Sequence, residues 1–199
     1  MIDYGAGNLR SVMSALRSIG SDAAVVESPG DVHGARAMIL PGVGAAADTM
    51  ENLLARGLSD VVIRWIEAER PFMGICMGMQ VLFSHSDEGG GQQCLGVIPG
   101  RVVRLPQGLK VPHMGWNQVR YATASPMFGA IPDGSDFYFV HSYVAEPEDE
   151  SLIAARTEYG TPFCSAVQRG PLFATQFHPE KSGARGLQLY RSFIETAAA

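Results

Sequence analysis

The chain has 199 residues, of which 46% are hydrophobic and 18% charged, and its formal net charge is −5. An ordinary globular composition at this length predicts a single domain spanning residues 1–199. The acidic balance argues against a nucleic-acid partner, and no apolar run reaches the about 18 residues of a membrane span. Three scattered cysteines without a CxxC pair and an N-terminus without a secretory pattern predict a cytoplasmic protein.

The first half of the chain alternates strand-like and helix-like patterns. Residues 9–19 repeat apolar side chains with the 3.6-residue period of an amphipathic helix. Further predicted strands are 23–26, 37–40 and 71–75, and further predicted helices are 48–57 and 60–70. This alternation predicts an α/β fold whose mostly parallel sheet is covered by helices on both faces.

The pattern changes near residue 100 to period-two strands separated by turn residues. The predicted strands are 101–105, 117–121, 136–145, 151–157, 163–168 and 172–177, followed by a helix at about 183–196. A mixed central sheet with flanking helices is the simplest account of both halves.

The pentapeptide GICMG (74–78) follows an apolar strand and opens a helix-like pattern that continues through Phe83. This is the context of a nucleophile elbow, in which a sharp strand-to-helix turn exposes one side chain. The flanking glycines allow a close approach of backbone segments, and the helix N-terminus favours a thiolate. By itself, the pentapeptide fits an inert turn with a small buried residue equally well.

A thiolate nucleophile needs a proton carrier, and His178 is the best placed of the five histidines. It follows the strand 172–177, and Glu180 is close enough to orient its ring. A lone histidine at a strand end is more often structural, but the pairing with Glu180 and the elbow favours catalysis. His113 and His141 fit a site-lining and a core role equally. No histidine spacing suits a metal, so we expect neither a metal nor a cofactor.

The segment PGVG (41–44) ends the predicted strand 37–40. Glycines at the carboxyl end of a parallel strand bring backbone N–H groups close to a ligand. The N–H groups of Val43 and Met77 would together make an oxyanion hole. Alone, PGVG fits a tight glycine turn better.

In combination these residues resemble the class I (triad) glutamine amidotransferases. The resemblance covers nearly the full length through the motifs IDYGAGNLRSV, LPGVG, GICMGMQVLF, SDEG, VPHMGWNQV, DFYFVHSY and FATQFHPEKS. The cysteine elbow and HPE are shared by the whole class. IDYGAGNL, PHMGWN and HPEKS are similar to the glutaminase subunits of imidazole glycerol phosphate synthase.

The resemblance implies a flavodoxin-like α/β fold that hydrolyses L-glutamine to L-glutamate and ammonia. Cys76 would attack the side-chain amide and form a thioester, His178 would carry the proton to ammonia, and Glu180 would orient His178. The residues implied to contact or surround the substrate are Gly44, Gln80, Glu88, His141, Ser142 and Tyr143. Gln80 and Glu88 also fit an exposed polar helix face, and only the resemblance favours a role at the site.

The resemblance further implies a heterodimer with a (β/α)₈ cyclase subunit in histidine biosynthesis. The cyclase would use the ammonia to convert PRFAR to imidazole glycerol phosphate and AICAR, and its bound ligand would activate the glutaminase. The residues expected on the partner-facing surface are Asn8, Trp116, Asn117, Tyr138 and Lys181. An ordinary core position is an equal alternative for Trp116.

Two departures and three alternatives accompany this interpretation. The first predicted strand has only Met1 and Ile2, whereas relatives continue upstream, and residues 45–47 are alanines where relatives place an aromatic side chain. The alternatives are a glutaminase subunit of another synthase, a cysteine peptidase and a non-catalytic relative. Papain-like signatures are absent around Cys76, and the complete Cys–His–Glu set argues against a non-catalytic protein.

Overall fold

The computed structural model describes residues 1–5 and 7–198. The helices in this part of the chain are α1 (Leu9–Ser18), α2 (Ala46–Ala55), α3 (Leu58–Glu67), α4 (Met77–Gln80) and α5 (Gly183–Ala198). The strands are β1 (Met38–Leu40), β2 (Phe72–Ile75), β3 (Phe83–Ser86), β4 (Gln92–Gln93), β5 (Ile98–Arg104), β6 (His113–Tyr121), β7 (Ser135–His141), β8 (Tyr143–Pro147), β9 (Ile153–Tyr159), β10 (Thr161–Arg169) and β11 (Leu172–Thr175). None of the described helices is long and apolar enough to cross a bilayer.

The strands form one mixed sheet with the order β1-β2-β11-β10-β8-β5-β3-β4, and β9 connects β10 to the β6–β7 pair. Parallel ladders join β1 to β2, β2 to β11 and β3 to β5. The ladders among β5 to β10 are antiparallel, a pairing that requires no crossover helix. The α/β class with a mixed sheet and flanking helices is confirmed, whereas parallel pairing is less extensive than expected.

Helices cover both faces of the sheet around β1, β2 and β11. Met38 and Leu40 of β1 pack in one core cluster with α2 and α3. Ile39 points to the other face and packs with α1 and α5, as the period-two alternation of a strand requires. Strands buried on both faces read as continuous apolar runs, which is why these three were recognisable in the sequence.

Three segments differ from the predicted elements. The predicted strand 23–26 is reduced to one parallel bridge between Val26 and Ile2, because only this short segment lies beside it. The helix that opens at Met77 ends at Gln80, and after a turn at Val81 and Leu82 the chain enters β3 at Phe83. The predicted strand 136–145 is divided at Ser142, where the chain leaves the β6–β7 pair and joins β5 as β8.

The turn after β2 packs tightly against β1. A Cβ atom on Gly74 would lie 2.6 Å from the carbonyl oxygen of Gly78, and a Cβ atom on Gly78 would overlap the carbonyl oxygen of Leu40. Both obstacles are backbone atoms, which cannot rotate away as a side chain can. The two glycines are therefore a steric requirement of this turn, as the sequence predicted.

We expect Gly78→Ala to destabilise the protein by at least about 3 kcal/mol, because the added methyl group must displace the backbone of β1 or α4. Gly129→Ala is the matched control, since Gly129 has a helical φ of −50° and its Cβ atom would meet Pro126 O at an ordinary 3.4 Å. Urea unfolding measures both. Equal stability of the two variants would contradict the close approach at Gly78.

Candidate active site

Three parallel strands deliver the predicted site residues to one edge of the sheet. Leu40 is paired with Gly74, and Ile75 with Thr175, so β1, β2 and β11 end side by side. PGVG follows β1, Cys76 follows β2, and His178 follows β11. The carboxyl edge of a parallel sheet is where such folds bind ligands, and here it gathers residues from positions 41 to 178.

Cys76 occupies a strained turn between β2 and α4. Its backbone has φ 53° and ψ −107°, a conformation that non-glycine residues rarely adopt and that is found mainly where the surroundings enforce it. The N–H of Cys76 donates to Thr175 O at 2.7 Å, which fixes the turn to β11. The turn directs the side chain into a cavity while leaving Cys76 only 6% exposed.

His178 and Glu180 form a fully buried ion pair beside this cavity. The distance from Nδ1 of His178 to Oε1 of Glu180 is 2.8 Å, and neither side chain has any exposed surface. Because a carboxylate only accepts, Nδ1 carries a proton. Nε2 is the other ring nitrogen, and it has no hydrogen-bond partner among the described residues. His178 lines the cavity together with Cys76.

The charges of these groups depend on one another. Burial opposes the charged form of His178, but the negative charges of the Cys76 thiolate and Glu180 outweigh burial and raise the pKa of His178 above its ordinary value. Burial likewise opposes the Glu180 carboxylate, yet hydrogen bonds from His178 and Asn8 hold the pKa of Glu180 below its ordinary value. The arrangement therefore favours an imidazolium at His178 paired with the Glu180 carboxylate.

Asn8 is buried beside this ion pair and does not lie on the partner-facing surface on which it was predicted. Its side chain donates to Oε1 of Glu180 at 3.1 Å, and the residue is only 5% exposed. The expected partner-facing position is therefore wrong for Asn8. The turn before α1 and the first residues of that helix bring the amide to Glu180.

The PGVG loop lies directly against the cysteine turn. A Cβ atom on Gly42 would be 2.8 Å from Cβ of Met77 and 2.9 Å from the backbone nitrogen of Gly78. Val43, Gly44 and Met77 line the cavity with Cys76. The two segments expected to supply oxyanion donors are thus neighbours, and the donor role itself remains a prediction.

The cavity beside Cys76 has a volume of about 230 Å³. This is below the roughly 300–1,000 Å³ typical of pockets for drug-sized ligands, so it suits a small substrate. Its lining residues are Val43, Gly44, Cys76, Met77, Gln80, Glu88, Pro112, Val140, His141, Ser142, Tyr143 and His178. All the predicted substrate residues are among them. Pro112 and Val140 were not predicted, because their apolar side chains carry no reactive or hydrogen-bonding group that would have marked them in the sequence.

Gln80 and Glu88 are held by hydrogen bonds within the protein. The Gln80 side chain donates from Nε2 to Tyr143 O and to Oε1 of Gln176, both at 2.9 Å, and Gln80 is 2% exposed. Oε2 of Glu88 accepts from the N–H of Ala46 at 2.7 Å, which caps the start of α2. The alternative of an exposed polar helix face is therefore wrong for Gln80, whereas Glu88 is half-buried in a short 3-10 helix whose other residues are exposed.

His141 is a neutral wall of the cavity. Its Nδ1 lies 2.9 Å from Tyr143 O and must donate, so its Nε2 accepts from Nδ1 of His113, also at 2.9 Å. Burial, together with the nearby His113 and His178, lowers the pKa of His141 to about 3 despite the bond to Tyr143. The side chain of Asn117 closes this chain, because it lies 3.2 Å from Nε2 of His113 and donates to Glu158 O at 2.9 Å.

An exposed aromatic patch, which we call the Trp116 patch, consists of Met114, Trp116, Tyr138 and Lys181. Trp116 is 58% exposed and Met114 62% exposed, so the core alternative for Trp116 is wrong. The rings of Trp116 and Tyr138 meet edge to face at 6.0 Å, and Nζ of Lys181 lies 5.7 Å from the Tyr138 ring. Asn117 is half-buried, and its amide is held by His113 and Glu158 O and not by the residues of the patch.

The Trp116 patch is connected to the ion pair through the backbone of Tyr138. Tyr138 O accepts from the N–H of His178 at 2.9 Å. The N–H of Tyr138 donates to Oγ of Ser182 at 3.0 Å, and that hydroxyl donates to His178 O at 2.7 Å. A displacement of β7 at the patch would therefore move His178.

Comparison with known proteins shows the family to which the chain belongs. The family model "Glutamine amidotransferase class-I" matches residues 1–196. The imidazole glycerol phosphate synthase subunit HisH of Dehalococcoides mccartyi strain CBDB1 is 50% identical over 197 residues, covering 99% of this chain and 96% of that protein. The corresponding HisH of Moorella thermoacetica is 51% identical over 195 residues, covering 98% and 93%.

Solved structures share the fold at lower sequence identity. A crystal structure of a glutamine amidotransferase has a TM-score of 0.76 at 23% identity and covers 100% of this chain and 98% of its own. PurLQS from Thermotoga maritima has a TM-score of 0.78 at 19% identity, covering 98% and 96%. With a family model over nearly the whole length and curated relatives near 50% identity, the chain belongs to the class-I glutamine amidotransferases and, within them, to the HisH subunits of imidazole glycerol phosphate synthase.

Proposed function

We propose that the chain is the glutaminase subunit of imidazole glycerol phosphate synthase and that Cys76, His178 and Glu180 carry out its chemistry. The observation that carries this proposal is the buried His178–Glu180 pair beside Cys76 in a small cavity. A buried charge pair costs several kcal/mol in desolvation, so its presence next to a strained cysteine favours catalysis over stability.

The first half of the reaction forms a thioester. Sγ of Cys76, having given its proton to Nε2 of His178, attacks the side-chain amide carbon of glutamine. The carbonyl oxygen becomes an oxyanion, for which the N–H groups of Val43 and Met77 are the proposed donors. The C–N bond then breaks, and the proton on Nε2 goes to the departing ammonia.

The second half releases glutamate. Neutral His178 takes a proton from water through Nε2, and the resulting hydroxide attacks the thioester carbon. The C–S bond breaks, the Cys76 thiolate leaves, and the imidazolium is again paired with Glu180. Glu180 remains ionised throughout, because it fixes the ring through Nδ1 and stabilises its positive charge.

The cavity residues supply the proposed substrate contacts. The carboxylate of Glu88 suits the α-ammonium group of glutamine, and Gly44 leaves room for a close backbone approach. Both N–H donors of Gln80 are used within the protein. Its Oε1 has no partner within the described part of the chain, and this oxygen is the proposed substrate contact. His141, Ser142 and Tyr143 line the same cavity.

The ammonia is used by the cyclase subunit, and we propose the Trp116 patch as part of the surface that binds it. Large exposed aromatic and methionine side chains are rare on monomers and frequent at interfaces. The backbone bonds from Tyr138 to His178 offer a route by which the bound cyclase acts on the site. A single domain in the cytoplasm fits this proposal and the three free, buried cysteines.

We expect Cys76→Ser to reduce glutamine hydrolysis by at least about 10³-fold, because a hydroxyl is a much weaker nucleophile at this site. Ammonia release is measured with the cyclase and its nucleotide ligand present, where the unmodified chain should be strongly stimulated over the isolated subunit. Cys94→Ala and Cys164→Ala are the controls, as both cysteines are free and buried elsewhere. An equal loss of glutamine hydrolysis in Cys94→Ala or Cys164→Ala would show that Cys76 is the wrong nucleophile. An unmodified chain that is not stimulated by the cyclase and its ligand would refute the assignment to imidazole glycerol phosphate synthase.

We expect Trp116→Ala to weaken binding of the cyclase by about 30-fold, since a central interface tryptophan typically contributes 2 kcal/mol or more. Leu54→Ala is the matched control, because Leu54 is an equally exposed apolar side chain on α2, with 63% exposure. Calorimetric titration of each variant with the cyclase gives the Kd. Unchanged affinity for Trp116→Ala would remove the patch from the interface.

A further inference from the structure

Gln176 is a buried polar residue to which the proposed reaction has so far given no role. It lies between β11 and His178, is 0% exposed, and its N–H donates to Ser165 O at 2.9 Å. Burying a primary amide is costly unless its donors and acceptor are paired. No sequence pattern marks this residue, because its partners are far away along the chain.

The orientation of its amide is fixed by a chain of hydrogen bonds that begins at a carbonyl group. Tyr143 O can only accept, so the Gln80 atom 2.9 Å away is Nε2. The same Nε2 lies 2.9 Å from the Gln176 side chain, which must present Oε1 there. The other end of the Gln176 amide is therefore Nε2, and it lies 3.7 Å from Sγ of Cys76.

The role of this donor changes when Cys76 loses its proton. As a thiol, Cys76 donates to Val140 O at 3.9 Å and accepts from Gln176. As a thiolate it can only accept, so the contact with Val140 O loses its hydrogen bond while the bond from Gln176 becomes charge-assisted. The Gln176 donor thus interacts more strongly with the reactive form.

We propose that Gln176 is a further catalytic residue whose Nε2–H stabilises and aims the Cys76 thiolate, and that Gln80 positions it. This inference rests on the proposed function and adds no covalent step. The proton of Sγ goes to Nε2 of His178, and the negative charge left on sulfur is met by the Gln176 amide on one side and by the imidazolium. Gln80, predicted as a substrate contact, acts on the nucleophile through Gln176.

The test compares two replacements of Gln176. Gln176→Glu retains an oxygen for the bond from Gln80 but places an acceptor instead of a donor at Sγ. Gln176→Met removes both polar ends at similar size. Gln168→Leu is the control, since the Gln168 side chain only makes a long 3.4 Å bond to Gly170 O. Circular dichroism establishes which variants are folded.

In the complex with the cyclase and its nucleotide ligand, we expect kcat for glutamine hydrolysis to fall about 10- to 100-fold in either Gln176 variant. KM for glutamine should stay within about twofold, because the lost bond is to the nucleophile. In the isolated subunit without glutamine, alkylation of Cys76 by iodoacetamide should slow by a similar factor. Gln168→Leu should match the unmodified chain in both assays.

The two arms separate the possible failures. Wild-type kcat and alkylation in a folded Gln176 variant would overturn the inference, as would a raised KM with unchanged alkylation. If Gln176→Glu does not fold, the same criteria apply to Gln176→Met. Absence of glutamine hydrolysis in the unmodified complex would instead contradict the proposed function, and the alkylation arm would still decide the role of Gln176.

Discussion

The organisation of this protein depends on a charge pair that has no contact with solvent. The side chains of His178 and Glu180 are completely buried, and hydrogen bonds from other segments offset part of the desolvation cost of such a pair. Three parts of the chain contribute to this. Asn8, which precedes α1, donates to the Glu180 carboxylate. Tyr138 of β7 accepts from the backbone N–H of His178. The Ser182 hydroxyl accepts from the N–H of Tyr138 and donates to His178 O. The nitrogen left unpaired, Nε2 of His178, is the one that the proposed reaction uses.

The fold brings the cysteine to this pair by crowding three strand ends. The parallel pairing of β1, β2 and β11 places the PGVG loop, Cys76 and His178 on one edge, and the glycines at 74 and 78 allow the turns to touch. The same crowding buries Gln176 and Gln80 under the cysteine, where their amides have only one consistent orientation. Strain at Cys76 and the buried charges both lower stability, which is characteristic of a site selected for chemistry.

The sequence predicted what depends on short stretches of chain. Strand ends followed by glycines, cysteine or histidine marked the site, because buried parallel strands are continuous apolar runs with reactive residues directly after them. It did not reveal what depends on packing between distant segments. The buried position of Asn8 follows from its contact with Glu180, and the hydrogen bonds of Asn117 follow from the nearness of His113 and Glu158. The helix α4 is short because the chain directly after it pairs with β5 as β3. The role of Gln176 depends on its hydrogen bond to Gln80, which is 96 positions away.

We expect the negative charges beside His178 to outweigh burial and to keep its imidazole protonated. ¹⁵N NMR of imidazole-labelled protein tests it most directly, because two buried histidines of the site should shift in opposite directions. We expect the pKa of His178 to lie above the ordinary value of about 6.5 and to fall in Cys76→Ala, which removes the thiolate charge. His141 should stay neutral down to about pH 3 in both proteins. A pKa of His178 at or below the ordinary value, or one that is the same in Cys76→Ala, would show that the neighbouring negative charges do not outweigh burial.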